Sequence, residues 1–229
     1  DGQNKGLPAR LNEIVRLAKG ELVARMDADD AMHPLRLEKQ VGFLQANPEL
    51  DGVTTGAYLI DAEDRPIALL PGRQPSAQEV LARGGFLHPS LLARKSWFEA
   101  HPYSLDYPRA EDRELFVRTF KTSRLHVLSE PLYFYRWFGV PRGKTLRIGY
   151  RSERKVMWKY GPNLVGWGPS LRLIALSFGK ELLTWFLEWT HLEKGFQTRR
   201  AFQPLLEMDQ REALRTLKVI RETCVPGWD

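Results

Sequence analysis

The chain of 229 residues is 43% hydrophobic and 27% charged, which excludes a disordered polypeptide or a repeat array and leaves one large globular domain or a domain with an appendage. Its net charge of +6 is unevenly placed: residues 1–140 carry 18 Lys and Arg against 19 Asp and Glu, whereas residues 141–229 carry 16 against 9. The one cysteine, Cys224, excludes an intrachain disulfide and points to a reducing, cytoplasmic compartment, and no apolar run forms a signal peptide or reaches the ~18 residues of a spanning helix.

In chain order, Pro8 suits a first helical turn, Leu11, Ile14, Val15 and Ala18 share a helical face, and Gly20 suits the stop. ELVARM, residues 21–26, reads as a short strand. PLRLEKQVGFLQANP reads as a helix with Leu37, Val41 and Leu44 turned inward, and DGVTTGAYLID as a strand. SAQEVLAR is helical, YPRAEDRELFVRTF holds a helix opened by Glu111 and Asp112 with Phe116 and Phe120 spaced for burial, and LHVLSEPLYFYRW is extended around Pro131. This alternation argues for an α/β fold, a sheet with helices packed on it. A boundary is expected at FGVPRGKT, giving one unit over residues 1–140 and a basic, Trp-rich helical extension over 141–229.

The chemistry concentrates just past the first strand, in MDADDAMHP. Asp27, Asp29 and Asp30 fall within four residues, at the carboxyl end of a strand, where open α/β sheets place their ligands. Carboxylates this close repel one another unless a cation or ligand donors neutralise them. A hard divalent ion, Mn²⁺ or Mg²⁺, held by one or two carboxylates together with water and substrate phosphates, resolves the conflict. A solvated loop with an aspartate capping the helix near Pro34 accounts for the same residues. Glu111 and Asp112 allow a similar choice, between acids that favour a helix dipole and a general base beside a cleft. His88, before Pro89, is either a polar group satisfied by backbone or a site residue.

The ordered set of NKGLPARLNEIVRLAKGELVARMDADD, LRLEKQVGFLQANPELDGVTTGAYLID, LHPSLLARKSWF, AEDRELFVRTF and LSEPLYFYRW resembles the family-2 inverting glycosyltransferases of the GT-A fold, over roughly residues 3–137. The resemblance implies a Rossmann-like mixed sheet with flanking helices. It also implies that Asp27 and Asp29 form an Asp-x-Asp motif holding the nucleotide-sugar ribose and a Mn²⁺ or Mg²⁺ ion, with Asp30 continuing the acidic run. By the same resemblance Asp112 is the catalytic base, Glu111 its paired acid, and His88 a residue near the acceptor or diphosphate. Lys5 and Asn12 match a segment flanking the nucleotide site, and both also suit an exposed helix surface. Relatives begin with a strand, helix and strand that carry a Val-Asp-Asp-Gly region; nothing here matches them, so the chain reads as a family member entered in its middle.

The expected partners are a nucleotide-sugar donor, by resemblance a UDP-sugar, and a saccharide or lipid-linked acceptor. The expected reaction is sugar transfer with inversion in polysaccharide or glycolipid synthesis. A glycoside hydrolase with paired carboxylates and a non-catalytic module retaining part of the fold are the alternatives. The tail holds seven basic residues from Arg142 to Lys159 against one acid, Glu153. After it comes LRLIALSFGKELLTWFLEWT, a helix of ~20 residues, roughly 30 Å long, with Lys180, Thr184 and Glu188 as a narrow polar stripe. Such a helix packs on the catalytic domain, pairs with a second copy in a homo-oligomer, or lies at an anionic membrane surface as a peripheral anchor on the cytoplasmic face. Without a nucleic-acid motif, no nucleic-acid partner is expected.

Overall fold

A computed structural model describes residues 2–139, 143–190 and 203–223. Residues 140–142 of the expected boundary, which include Arg142, and also Cys224 and Trp228, lie outside the described residues.

Pro8 opens α1 (Leu7–Leu17), which buries Val15 and turns Ile14 and Leu17 to solvent. The strand read from ELVARM is β1 (Leu22–Ala24), and a two-residue strand, β2 (Ala31–Met32), follows the acidic run. Next comes α2 (Arg36–Ala46), and here the inward face differs from the expected one. Leu44 is buried, but Leu37 is 38% exposed, and the buried positions beside Leu44 are Arg36 and Gln40, both 0% exposed. Hydrophobic spacing missed this because Arg36 and Gln40 find hydrogen-bond partners inside the protein, which lets polar side chains take positions that spacing assigns to leucine.

DGVTTGAYLID is two strands, β3 (Gly52–Thr55) and β4 (Ala57–Ile60), which belong to different sheets. The break is at Gly56, where an added Cβ would stand 2.6 Å from the Gly72 amide nitrogen and 2.9 Å from the Leu70 carbonyl oxygen. Only a residue without a side chain lets these backbones meet. The remaining elements are β5 (Pro66–Leu70), α3 (Ala77–Arg83) with a Ser76–Glu79 capping box, a 3₁₀ turn (His88–Ser90), β6 (Leu92–Arg94), α4 (Lys95–Ala100), α5 (Glu111–Thr119), β7 (Leu125–Leu128) and β8 (Tyr133–Arg136).

These strands form two mixed four-stranded sheets, ordered β1-β6-β3-β7 and β2-β8-β4-β5. Three stretches of chain cross from the first sheet to the second: β1 to β2 through the acidic run, β3 to β4 through Gly56, and β7 to β8 around Pro131. The last two crossings run side by side, since β3 pairs parallel with β7 and β4 parallel with β8. The aspartates therefore sit on the seam between two sheets, each anchored by its own core.

The core under the first sheet joins Val80, Leu91, Leu115 and Phe116 to Val156 and Met157 of α6 (Lys144–Val165). Helix α7 (Trp167–Trp189) runs back antiparallel along α6 after a turn at Gly166, whose φ of 89° suits glycine. On the second sheet Tyr58, Ile60 and Phe134 pack against Ala213 and Leu217 of α8 (Glu207–Glu222). Among the described residues no helix is long and apolar enough to cross a membrane.

Candidate active site

The loop from Arg25 to Asp30 is held from below by Tyr133, which is 0% exposed. The Asp27 amide donates to the Tyr133 hydroxyl at 3.2 Å, and that hydroxyl donates to Oδ2 of Asp30 at 2.8 Å. Oδ1 of Asp30 accepts from the Arg136 amide at 2.7 Å, and Arg136 Nε donates to the Asp29 carbonyl oxygen at 2.7 Å. Both ends of the run are thus tied to β8. One carboxylate oxygen from each of Asp27, Asp29 and Asp30 can be chosen so that all three lie within 4.8 Å of one another.

Burial sets the electrostatics. It raises the Asp27 carboxyl above its ordinary range, opposed by the Arg25 guanidinium and helped by the charges of Asp29 and, more weakly, Asp112. Burial likewise pushes Asp30 up to about 6, against the hydrogen bonds from Arg136 and Tyr133. Asp29 is exposed, so its carboxylate projects from the loop. Three hard oxygen donors this close, two of them resisting ionisation, fit a divalent cation of the Mg²⁺ or Mn²⁺ kind.

Two residues essential to this geometry escaped the sequence reading. Arg25, 7% exposed, donates from Nη2 to Asp27 Oδ1 at 2.7 Å, while its Nε and Nη1 are buried without a hydrogen-bond partner. Arg36 donates from Nη2 to the Arg25 carbonyl at 2.8 Å and from Nε to Gln40 Oε1 at 2.9 Å, and stands 5.1 Å above the Tyr133 ring. Burial lowers its pKa to about 10, so it stays charged near neutrality. Gln40 Nε2 then donates to the carbonyls of Val53 and Ser90. The available signal was spacing: Arg36 and Gln40 are i and i+4 on one face of α2 and Leu44 continues that face.

Glu111 and Asp112 occupy the first turn of α5, as expected from the sequence. Glu111 is buried, and burial first and then the Asp112 charge raise its carboxyl. Asp112 is half-buried, and its Oδ1 accepts from the Arg113 amide at 2.7 Å. Its charge acts on Glu111, on Tyr103 and, weakly, on Asp27.

The remaining candidates are His88, Asn12 and Lys5. His88 is buried at 6% exposure, with Nε2 2.8 Å from the Tyr103 hydroxyl and its ring edge-on to Phe116. Burial and the Arg25 charge hold its pKa well below the usual histidine range, so the ring is neutral. Asn12 is committed to backbone: its amide donates to the Tyr103 carbonyl and its oxygen accepts from the Tyr103 amide, both at 2.9 Å. Lys5 lies exposed ahead of α1. Of the candidates, the structure brings together the three loop aspartates, lets the charge of Asp112 act on Asp27, and sets His88 and Asn12 on Tyr103.

Residues 1–105 match the family model described as glycosyl transferase family 2. The putative glycosyltransferase EpsE of Bacillus subtilis is 34% identical over 139 residues, 58% of this chain and 49% of that protein. The O-antigen biosynthesis glycosyltransferase WbnJ of Escherichia coli is 33% identical over 131 residues, 55% of this chain and 51% of that one. The chain spans about half the length of these relatives. Among solved structures, residues 1–349 of S. aureus TarS superpose with a TM-score of 0.52 at 15% identity, covering 76% of this chain and 50% of that one. The same protein in complex with UDP-GlcNAc gives 0.51, covering 73% and 50%. This likeness establishes the fold: a GT-A-like mixed α/β arrangement with a helical C-terminal region.

Proposed function

Starting from the match of residues 1–105 to the model of glycosyl transferase family 2, we propose that the protein is a member of that family and transfers a sugar from a nucleotide-diphosphate sugar to an acceptor hydroxyl, with inversion at the anomeric carbon. The observation that carries this reading is the convergence of three loop carboxylates within 4.8 Å on a seam where the charge of Asp112 also acts. Asp29, with Asp27 beside it, holds a divalent cation, which when bound neutralises charge developing on the leaving diphosphate. Asp27 orients the nucleotide, and Arg25 keeps Asp27 in place through its 2.7 Å ion pair.

Asp112 is the general base. Its Oδ1 is fixed by the Arg113 amide, which leaves Oδ2 to take the proton of the acceptor hydroxyl as that oxygen attacks the face opposite the diphosphate. Glu111, buried behind it, shapes the site. His88 and Asn12 act through Tyr103, as positioning residues for the wall next to Arg25. Asp30, with both oxygens bound to β8, anchors the loop and lends charge to the cation. The UDP-GlcNAc complex of TarS favours a UDP-sugar donor, and the O-antigen biosynthesis role in the name of WbnJ favours polysaccharide synthesis; the acceptor is then a saccharide, free or lipid-linked.

The test is to incubate the protein with a panel of nucleotide sugars and saccharide acceptors, with and without Mn²⁺, and to analyse products by mass spectrometry and anomeric NMR. A new glycosidic bond of inverted configuration that needs the cation is expected. Release of free sugar from a glycoside without any cation would favour hydrolysis, and absence of donor binding by calorimetry would favour a non-catalytic module.

A further inference from the structure

The α6–α7 hairpin is amphipathic in the opposite sense to a helix pair on a soluble core. The polar line of α7 faces α6: Arg154 reaches Ser177 Oγ at 3.3 Å and Glu181 at 2.5 Å, and Arg147 pairs with Glu188. Ser170 and Ser177 are buried in this contact. Leu173 and Ile174 of α7 pack on the core, and most of its other apolar residues are outside. Trp167, Leu171, Phe178, Leu182, Trp185 and Trp189 recur at helical spacing and are between 48% and 70% exposed, a stripe too long and too aromatic for an ordinary water-facing surface.

The charges left outside are of one sign. All three acids of the hairpin are paired, Glu153 with Arg113, Glu181 with Arg154 and Glu188 with Arg147, while the exposed charges of α7 are Arg172 and Lys180. These two rim a shallow apolar groove formed by Leu176, Gly179 and Leu183. The outer side of α6 carries Lys144, Arg151, Lys155 and Lys159 around Trp158, and Trp158 packs edge-to-face on Trp167 with ring centroids 5.9 Å apart. The basic side of α6 is therefore continuous with the aromatic stripe of α7.

We infer that this outer face of the α6–α7 hairpin docks the protein flat on an anionic phospholipid bilayer. A bilayer takes the whole pattern: tryptophans at the headgroup level, leucines and phenylalanines in the acyl boundary, and Lys and Arg on lipid phosphates. The hairpin is also tied to the acid pair, since Tyr160 donates to Glu114 of α5 at 2.8 Å and Arg113 pairs with Glu153 at 2.9 Å. Docking would hold the candidate site at a fixed height above the lipid, where an acceptor confined to the membrane is presented.

The inference is independent of the transfer chemistry, because vesicle binding is read without donor or acceptor. The whole protein is sedimented with vesicles of phosphatidylglycerol and phosphatidylcholine, and with vesicles of phosphatidylcholine alone, as salt rises. Binding at least ten-fold stronger to the anionic vesicles, weakening with salt and accompanied by a blue shift of tryptophan emission, is expected. Leu182→Glu with Trp185→Glu, at exposed positions checked for folding by circular dichroism, should abolish it, and Arg172→Gln with Lys180→Gln should weaken it. Equal or negligible binding to both vesicle types would overturn the inference. So would a dimer in sedimentation equilibrium that Leu182→Glu dissociates, since the face would then belong to a second copy.

Discussion

The Tyr133 hydroxyl donates to the Asp30 carboxylate at 2.8 Å, so a fully buried residue of β8 sets the conformation of an acidic loop about a hundred residues earlier in the chain. Tyr133→Phe keeps the ring under Arg36 and removes only this donor, which also accepts from the Asp27 amide. Loss of about 1–3 kcal/mol of stability is expected, measured by urea denaturation. A weaker Mn²⁺ affinity in calorimetric titration should accompany it, because the loop carboxylates lose their fixed spacing.

Arg36 and Leu37 invert what hydropathy teaches. Arg36→Leu removes the donor to the Arg25 carbonyl and to Gln40 inside the protein, orphaning two buried acceptors at about 1–3 kcal/mol each. Leu37→Ala, at a position 38% exposed and outside the buried clusters, should change stability by less than about 1 kcal/mol. Parallel denaturation curves decide the order, and a reversed order would mean that α2 sits in another register.

Asp29→Ala should leave folding nearly unchanged, since an exposed loop side chain contributes little packing, and should abolish Mn²⁺ binding. Retained binding in a calorimetric titration would remove Asp29 from the proposed ligand set.

The proposed cation site predicts a pH dependence. The folded-state pKa of Asp30, near 6, lies above its ordinary 3.8, so its contribution to stability is full below about pH 4 and is lost as pH rises through 6. A divalent cation needs the ionised loop and has the opposite dependence. The rise in Tm on adding Mn²⁺ should therefore be small at about pH 5 and larger at about pH 7.5, and thermal melts at the two values measure it. An increment independent of pH would place the cation elsewhere.

Asp112→Asn preserves size and position while removing basicity, so transfer should fall by about 10²–10⁴ with donor binding retained in calorimetry. If Glu111→Gln has that effect and Asp112→Asn does not, the buried member of the pair is the base.

Much of this was legible locally. The apolar run before Asp27, the turn chemistry around Gly20 and Pro131, and the acids at the start of α5 are short-range patterns, and strands and helices stand where they point because periodicity and caps act within a few residues. The family resemblance also rests on such segments. What local pattern does not contain is which backbone meets which. DGVTTGAYLID looks like one strand, and it becomes two because Gly56 must let β4, β5 and the segment before β8 close on one another. Leu37 looked inward, and α2 instead buries Arg36 and Gln40 because their partners, Arg25, Val53 and Ser90, arrive from other elements. That His88 and Asn12 share Tyr103 as a partner is likewise invisible in their local sequence. The polar stripe expected on α7 was Lys180, Thr184 and Glu188; Lys180 is exposed, and the polar line that meets α6 is Ser177, Glu181 and Glu188, because the arginines of the preceding helix complete its carboxylates. Apart from the close approach at Gly56, in each case a polar group found its partner on another element, and only the assembled fold brings those partners within hydrogen-bonding distance.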